Sequence, residues 1–157
     1  EGVVGFVDGL TSRGAVRVGV VRFDSTARVW VPLSGDLSAV RTALGVPITA
    51  AQGSRIDLGL LVAAEVLGPP VTGPTGHRAI VLVSDGQVFG ATEDAVLAAA
   101  DTVRAAHTVL YAVAVGPNAA AALLRRVAGS EARLSDAGDG DGIGRAFRAV
   151  GITLPCP

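Results

Sequence analysis

Two short runs constrain this chain most: residues 79–84, Ala-Ile-Val-Leu-Val-Ser, and residues 108–115, Thr-Val-Leu-Tyr-Ala-Val-Ala-Val. A strand with one wet face alternates apolar and polar side chains. A strand that is apolar almost throughout is buried on both faces, as in a parallel sheet covered by helices. Helical spacing fills the chain around these runs. Leu60, Leu61, Ala64 and Leu67 precede the first run, a helix from Thr92 to about Ala106 separates the two, and a segment opening at Asn118 and closing at Gly129 follows. Strand and helix alternating in this way predict parallel strands joined by right-handed crossovers. The expected fold class is α/β: a doubly wound, Rossmann-like, mostly parallel sheet with helices on both faces.

The remaining segments complete that frame. Residues 17–23 read as a short strand, Asp24, Ser25 and Thr26 as a turn, and residues 27–33 as the second arm of an antiparallel edge hairpin. Asp36 is placed to cap a helix over 37–44, which Gly45 and Pro47 end. The helix after Gly53 is stopped by Gly68-Pro69-Pro70, and Thr92, with Glu93 and Asp94 in the first turn, is an N-cap. A last helix is expected from about Ile143 to Val150. Val3, Phe6, Val7 and Leu10 also fall at helical spacing, so the chain reads as starting inside its first helix, with the first strand of the fold missing. Neither repeats nor linkers interrupt the 157 residues, which are expected to form a single domain, 1–157. There is no Met and no signal peptide, as in a processed product or an excised fragment.

Charge and cysteine content narrow the partners. The net charge is −1, and the basic residues are all Arg and form no long run, which excludes nucleic acid and an anionic membrane surface as expected partners. The longest apolar stretches are broken by Asp101, Arg104 and His107, so no membrane insertion is expected. Cys156 is the sole cysteine; no internal disulfide is possible, and pairing with a residue outside this chain stays open. Gly138-Asp-Gly-Asp-Gly-Ile-Gly144 lacks the spacing of a dinucleotide loop and the length and closing Glu of an EF-hand. A solvated loop capping the last helix is the favoured reading over phosphate or Ca²⁺ binding.

In open α/β sheets ligands bind beyond the carboxyl ends of the strands. Asp85 follows the run at 80–84 directly, and Ser54 begins a helix in a loop expected to open on the same edge. His77 and His107 each precede a strand, so both belong at the opposite edge and are poorly placed as general bases. Ser54-x-x-Asp57 also matches a capping box, and Asp85-Gly86 also suits a simple turn. A hydroxyl and a carboxylate on one rim, however, suit a hard cation such as Mg²⁺, which takes oxygen ligands and keeps several waters.

These pieces together resemble the von Willebrand factor A-type domains over nearly all of the chain. Arg17-Val-Gly-Val-Val-Arg-Phe23 resembles the family's second strand, and Val31-Pro-Leu33 with Asp36 its third strand and following turn. Gly53-Ser-Arg-Ile-Asp-Leu-Gly-Leu60 resembles the Gly-x-Thr loop and helix, with Ser54 in the place of Thr. Val81-Leu-Val-Ser-Asp-Gly86 resembles the strand ending in Thr-Asp-Gly, and Tyr111-Ala-Val-Ala-Val-Gly116 with 124–129 resembles the fifth strand and its helix.

The resemblance implies a metal-ion-dependent adhesion site holding Mg²⁺, or Mn²⁺ or Ca²⁺, with Ser54 as hydroxyl ligand and Asp85 as a carboxylate acting through water. It implies a protein partner whose acidic side chain completes the metal's shell, and no catalysis. The family's Asp-x-Ser-x-Ser loop is not found, which leaves the site incomplete in this chain. A rival placement makes residues 3–7 the first strand and Asp8-Gly-Leu-Thr-Ser12 a degenerate copy of that loop. Only four residues then remain before Arg17, too few for a crossover helix. The resemblance implies a secreted or cell-surface protein, and the Ala/Gly/Arg-rich, Lys-free composition fits a bacterial source. The alternative is an intracellular accessory domain of an ATPase or chelatase complex. A true enzyme ranks last, because the chain has neither a phosphate loop nor a Gly-x-Ser-x-Gly elbow.

Overall fold

The computed structural model describes residues 16–46, 53–69, 77–138, 142, 145 and 146. Its first elements are the expected hairpin, in which β1 (Val18–Phe23) pairs antiparallel with β2 (Ala27–Ser34) around the turn at Asp24, Ser25 and Thr26. Helix α1 (Leu37–Leu44) follows, and Asp36 caps it as its sequence position predicts, accepting from the amides of Ser38 at 3.1 Å and Ala39 at 3.2 Å. Helix α2 (Ile56–Leu67) ends at Gly68. Then come β3 (Ala79–Ser84), α3 (Glu93–Ala105), β4 (Val109–Val115), α4 (Ala121–Ala128), a 3-10 turn (Glu131–Arg133) and β5 (Leu134–Gly138).

Strands β3, β4 and β5 form a parallel sheet in that order, with Ala79 opposite Val109 and Ala112 opposite Leu134. Strand β4 is central and its middle five residues are buried, which explains its unbroken apolar sequence. Leu110, Ala112 and Ala114 pack with Ile56 and Leu60 of α2, Val96, Ala99 and Val103 of α3, and Leu123, Leu124 and Val127 of α4. The alternate residues Tyr111 and Val113 pack with Ala137 and Ala146. Two separate clusters divided by strand alternation mean that both faces of the sheet are covered, the doubly wound arrangement. Helix α3 buries Val96, Ala99, Ala100 and Val103, one stripe at i, i+3, i+4 and i+7. Thr92 caps it, accepting from the Ala95 amide at 3.2 Å.

The hairpin is likewise covered on two sides. Val18 and Val20 join Val31 and Val40 on the α1 side. Gly19 and Phe23 meet α2, where a Cβ on Gly59 would stand 2.8 Å from Phe23 Cδ1. Helix α2 contacts β1, β2 and β3 and so bridges the hairpin and the parallel sheet. Among the described residues β1-β2 and β3-β4-β5 form two sheets; the parallel sheet, its helices and the small antiparallel hairpin are the α/β class expected, in which β1 and β3 are not direct neighbours.

Some local expectations need correction. Helix α4 begins at Ala121 and not at Asn118; its first turn is held by the Ala120 amide donating to the Asp85 carbonyl at 2.7 Å, with no side-chain cap. Strand β5 was not anticipated from the sequence: Leu-Ser-Asp-Ala-Gly carries only Leu134 and Ala137 as inward apolar residues, too few to show a period. The start of the anticipated Gly/Asp loop, Gly138, is the end of that strand, while Gly142, Arg145 and Ala146 are helical. The helical spacing at 3–10, the rival strand at 3–7 with its Asp8–Ser12 loop, the rest of the last helix and Cys156 lie outside the described residues.

Candidate functional site

The rim is built where β3 hands over to its following loop. Ser84 Oγ accepts the Gly86 amide at 3.0 Å, and Asp85 Oδ1 accepts the Gln87 amide at 2.9 Å, two tight side-chain turns in succession. Gly86 sits at φ +73°, in the left-handed region, and a Cβ there would press on Leu124 and on Ala120 at 3.0–3.1 Å. The Asp85 carbonyl accepts from Ala120, and Gln87 Nε2 donates to the Asn118 carbonyl at 3.2 Å. The loops after β3 and β4 are therefore tied together. They leave the Asp85 carboxylate exposed, with Oδ2 free of hydrogen bonds to the described residues.

Ser54 reaches the same loop by its backbone. Its amide donates to the Phe89 carbonyl at 3.2 Å and its carbonyl accepts the Phe89 amide at 3.4 Å, an isolated antiparallel bridge. The segment is held from the other side as well. Arg55 N donates to the Asp24 carbonyl at 2.7 Å, and Gly53 lies so close to the hairpin turn that a Cβ would stand 2.8 Å from Ser25 N.

The capping box anticipated at Ser54-x-x-Asp57 does not form. Arg55 occupies the N-cap position of α2 without a side-chain cap bond. Its guanidinium instead takes both oxygens of the buried Asp57, Nε to Oδ1 at 2.9 Å and Nη2 to Oδ2 at 2.8 Å. Two parallel charge-assisted bonds outcompete the single hydroxyl–amide bonds of a capping box. The Arg55 fork holds the Asp57 carboxyl below its usual range; burial opposes the shift without cancelling it. The Ser54 hydroxyl is consequently released from the cap, half-buried beside the loop that Asp85 opens.

A third carboxylate, Asp24, stands on this rim at the end of β1, although its sequence context marked it only as a turn. Its Oδ1 is taken inside the turn by the Thr26 amide at 2.9 Å and by the hydroxyls of Thr26 and Ser25. The Thr26 amide, ahead of opposing desolvation, lowers its pKa. Phe89 went unremarked in the sequence, although an aromatic residue between Asp85-Gly86 and the Thr92 cap is itself a signal. His77 and His107 stand before β3 and β4, at the opposite edge, as expected.

The donors on the rim are all oxygens, which suits a hard divalent cation and not a soft one. Among the described residues no three His, Cys, Asp or Glu side chains cluster closely enough to hold a metal by themselves.

A family model described as von Willebrand factor type A domain matches residues 1–144. No curated protein matches the sequence. Among solved structures, the conserved hypothetical protein BatB from Bacteroides thetaiotaomicron superposes with a TM-score of 0.72 at 17% identity, covering 96% of this chain and 82% of its own. The vWF domain of the type V pili tip protein Mfa5 from Porphyromonas gingivalis gives 0.81 at 12% identity, with 97% and 86% covered. Proximal thread matrix protein 1 from the mussel byssus, with a zinc-occupied MIDAS motif, gives 0.78 at 20% identity; 98% of this chain matches 41% of that one.

Proposed function

Because the chain belongs to the von Willebrand factor type A domain family, we propose that it is a protein-binding domain whose Ser54–Asp85 rim engages a partner through a divalent cation. The observation that carries this reading is the diversion of Asp57 to Arg55. It frees the Ser54 hydroxyl of its structural task while the Phe89 bridge keeps Ser54 beside the loop of Asp85.

Ser54 would offer its hydroxyl oxygen directly, and Asp85 its exposed carboxylate through a bound water. The cation, Mg²⁺ or equally Mn²⁺ or Ca²⁺, supplies a positive centre to which the partner's acidic side chain adds the missing ligand. The remaining ligands have to come from residues other than these two. This chemistry binds and does not turn over: both histidines are at the far edge of the sheet. The whole of 1–157 is proposed as one such domain.

One observation favours a secreted or cell-surface setting over the accessory role in an ATPase or chelatase complex: the structural relatives include a pilus tip protein and a byssal matrix protein.

Calorimetric titration of the intact protein with Mg²⁺ and Mn²⁺ tests the assignment. Asp85→Ala is expected to weaken binding by about 10–100-fold, the usual effect of losing an outer-shell carboxylate, and Ser54→Thr to keep it or tighten it. Equal affinities for wild type and Asp85→Ala refute the site.

A further inference from the structure

Phe89 is the most exposed of the large apolar residues described, at 62%, and it stands on the candidate rim. Three features separate it from an idle surface aromatic. Its neighbour Val88 packs against the main core, so the loop turns one apolar residue inward and holds the next outward. Its backbone is fixed by two hydrogen bonds to Ser54. In an antiparallel pair that exchanges both bonds, the two side chains leave the same face with Cβ atoms about 5 Å apart. The ring therefore rises beside the Ser54 hydroxyl. Trp30, the other exposed aromatic, is by contrast already engaged: Arg22 lies 4.4 Å from its ring centroid and its Nε1 donates to the Ala43 carbonyl.

We propose that Phe89 is the apolar anchor of the partner-binding surface, and that the partner presents a large apolar side chain next to the carboxylate that reaches the metal. This rests on the proposed function, since the carboxylate fixes where the partner lies. An aromatic ring with only two side-chain torsions, on a backbone already held, loses little freedom when covered. Rings of this kind become the residues on which a protein interface depends most. The cation alone would accept any exposed carboxylate; the ring selects among them.

The test uses the intact protein with Mn²⁺ and an array of Glu-centred peptides in which Leu or Ala is walked through the flanking positions. Wild type is expected to bind at least one Leu-bearing peptide about tenfold or more tightly than its Ala counterpart. Phe89→Ala is expected to abolish that preference while leaving Mn²⁺ affinity and thermal midpoint unchanged, and Phe89→Leu to restore part of it. Metal-dependent binding with no Leu preference in wild type overturns the anchor alone. Absence of any Mn²⁺-dependent peptide binding overturns the metal reading, and the anchor with it. Self-association of wild type that Phe89→Ala abolishes would assign the ring to a second copy of this chain and overturn the proposal.

Discussion

Replacing Gly59 by Ala sets two effects of similar size against each other. In the interior of a helix Ala is better than Gly by about 0.5–1 kcal/mol, because the unfolded glycine has more freedom to lose. On an open face of α2 this substitution would stabilise. Gly59, however, is buried where α2 crosses β1, and the new methyl would stand 2.8 Å from Phe23 Cδ1, 3.0 Å from Cγ and 3.2 Å from Cβ. Carbon atoms sit comfortably at about 3.5–4.0 Å. Two of the three crowded atoms are the root of the ring and not its tip, so a rotation of the ring cannot relieve them and β1 must move relative to α2. Overfilling of this kind costs about 1–3 kcal/mol. The expected balance is a loss of roughly 0–2 kcal/mol, read as a fall of a few degrees in thermal midpoint. The sign is settled by repeating the substitution in a Phe23→Ala background, where the methyl meets no ring. There Gly59→Ala should stabilise by about 0.5–1 kcal/mol, giving a clear coupling between the two positions in urea unfolding. Stabilisation in the wild-type background, or the same effect in both backgrounds, would refute the close approach of α2 to β1.

Thr92→Ala should cost about 0.5–2 kcal/mol by removing the cap of α3, whereas Asn118→Ala should leave α4 intact, because that helix starts at Ala121 without a side-chain cap; both are read from circular-dichroism melts, and a larger loss at Asn118 would reverse the assignment. Asp57 predicts an acid dependence. Its carboxyl is held below the usual value when folded, so its contribution is complete above the unfolded pKa of about 3.9 and is lost as pH falls through the lower folded value. The stability gap between wild type and Asp57→Asn is therefore expected to be constant from neutral pH to about 5 and to shrink below about 4. Urea midpoints that keep the same gap down to pH 2 would contradict it.

The features legible in the sequence were those with a periodic or chemically specific local cause. The β3 and β4 runs were apolar throughout because both faces are buried, and Asp36 and Thr92 announced their helices because a side-chain oxygen before a helix has one geometric use. The hairpin was legible from its turn. What escaped was decided at long range. Strand β5 owes its existence to the edge of β4 and not to its own five residues. Helix α4 starts where the Asp85 carbonyl waits, so a plausible capping residue three positions earlier was misleading. At Ser54 the local motif was present and still lost, since an arginine in the intervening position offered Asp57 a stronger partner. The rim as a place was therefore readable from strand ends, while the bridge that brings Phe89 to it was not, because no local pattern encodes a contact between two loops.

The tethers on residues 53–55 also bear on the order in which the molecule assembles. Each of them closes a loop of about 30–35 residues, from Arg55 to Asp24 in one direction and from Ser54 to Phe89 in the other. Closing such loops costs entropy before any contact rewards it, so non-local pairings of this sort form late. The local helices can organise first, and the rim comes into being only when α2 docks and draws the hairpin turn and the loop after β3 onto one short segment. Read in reverse, these few hydrogen bonds are a latch that can open while the parallel sheet stays folded. The rim proposed to meet a partner is thus the part of the described structure that is completed last.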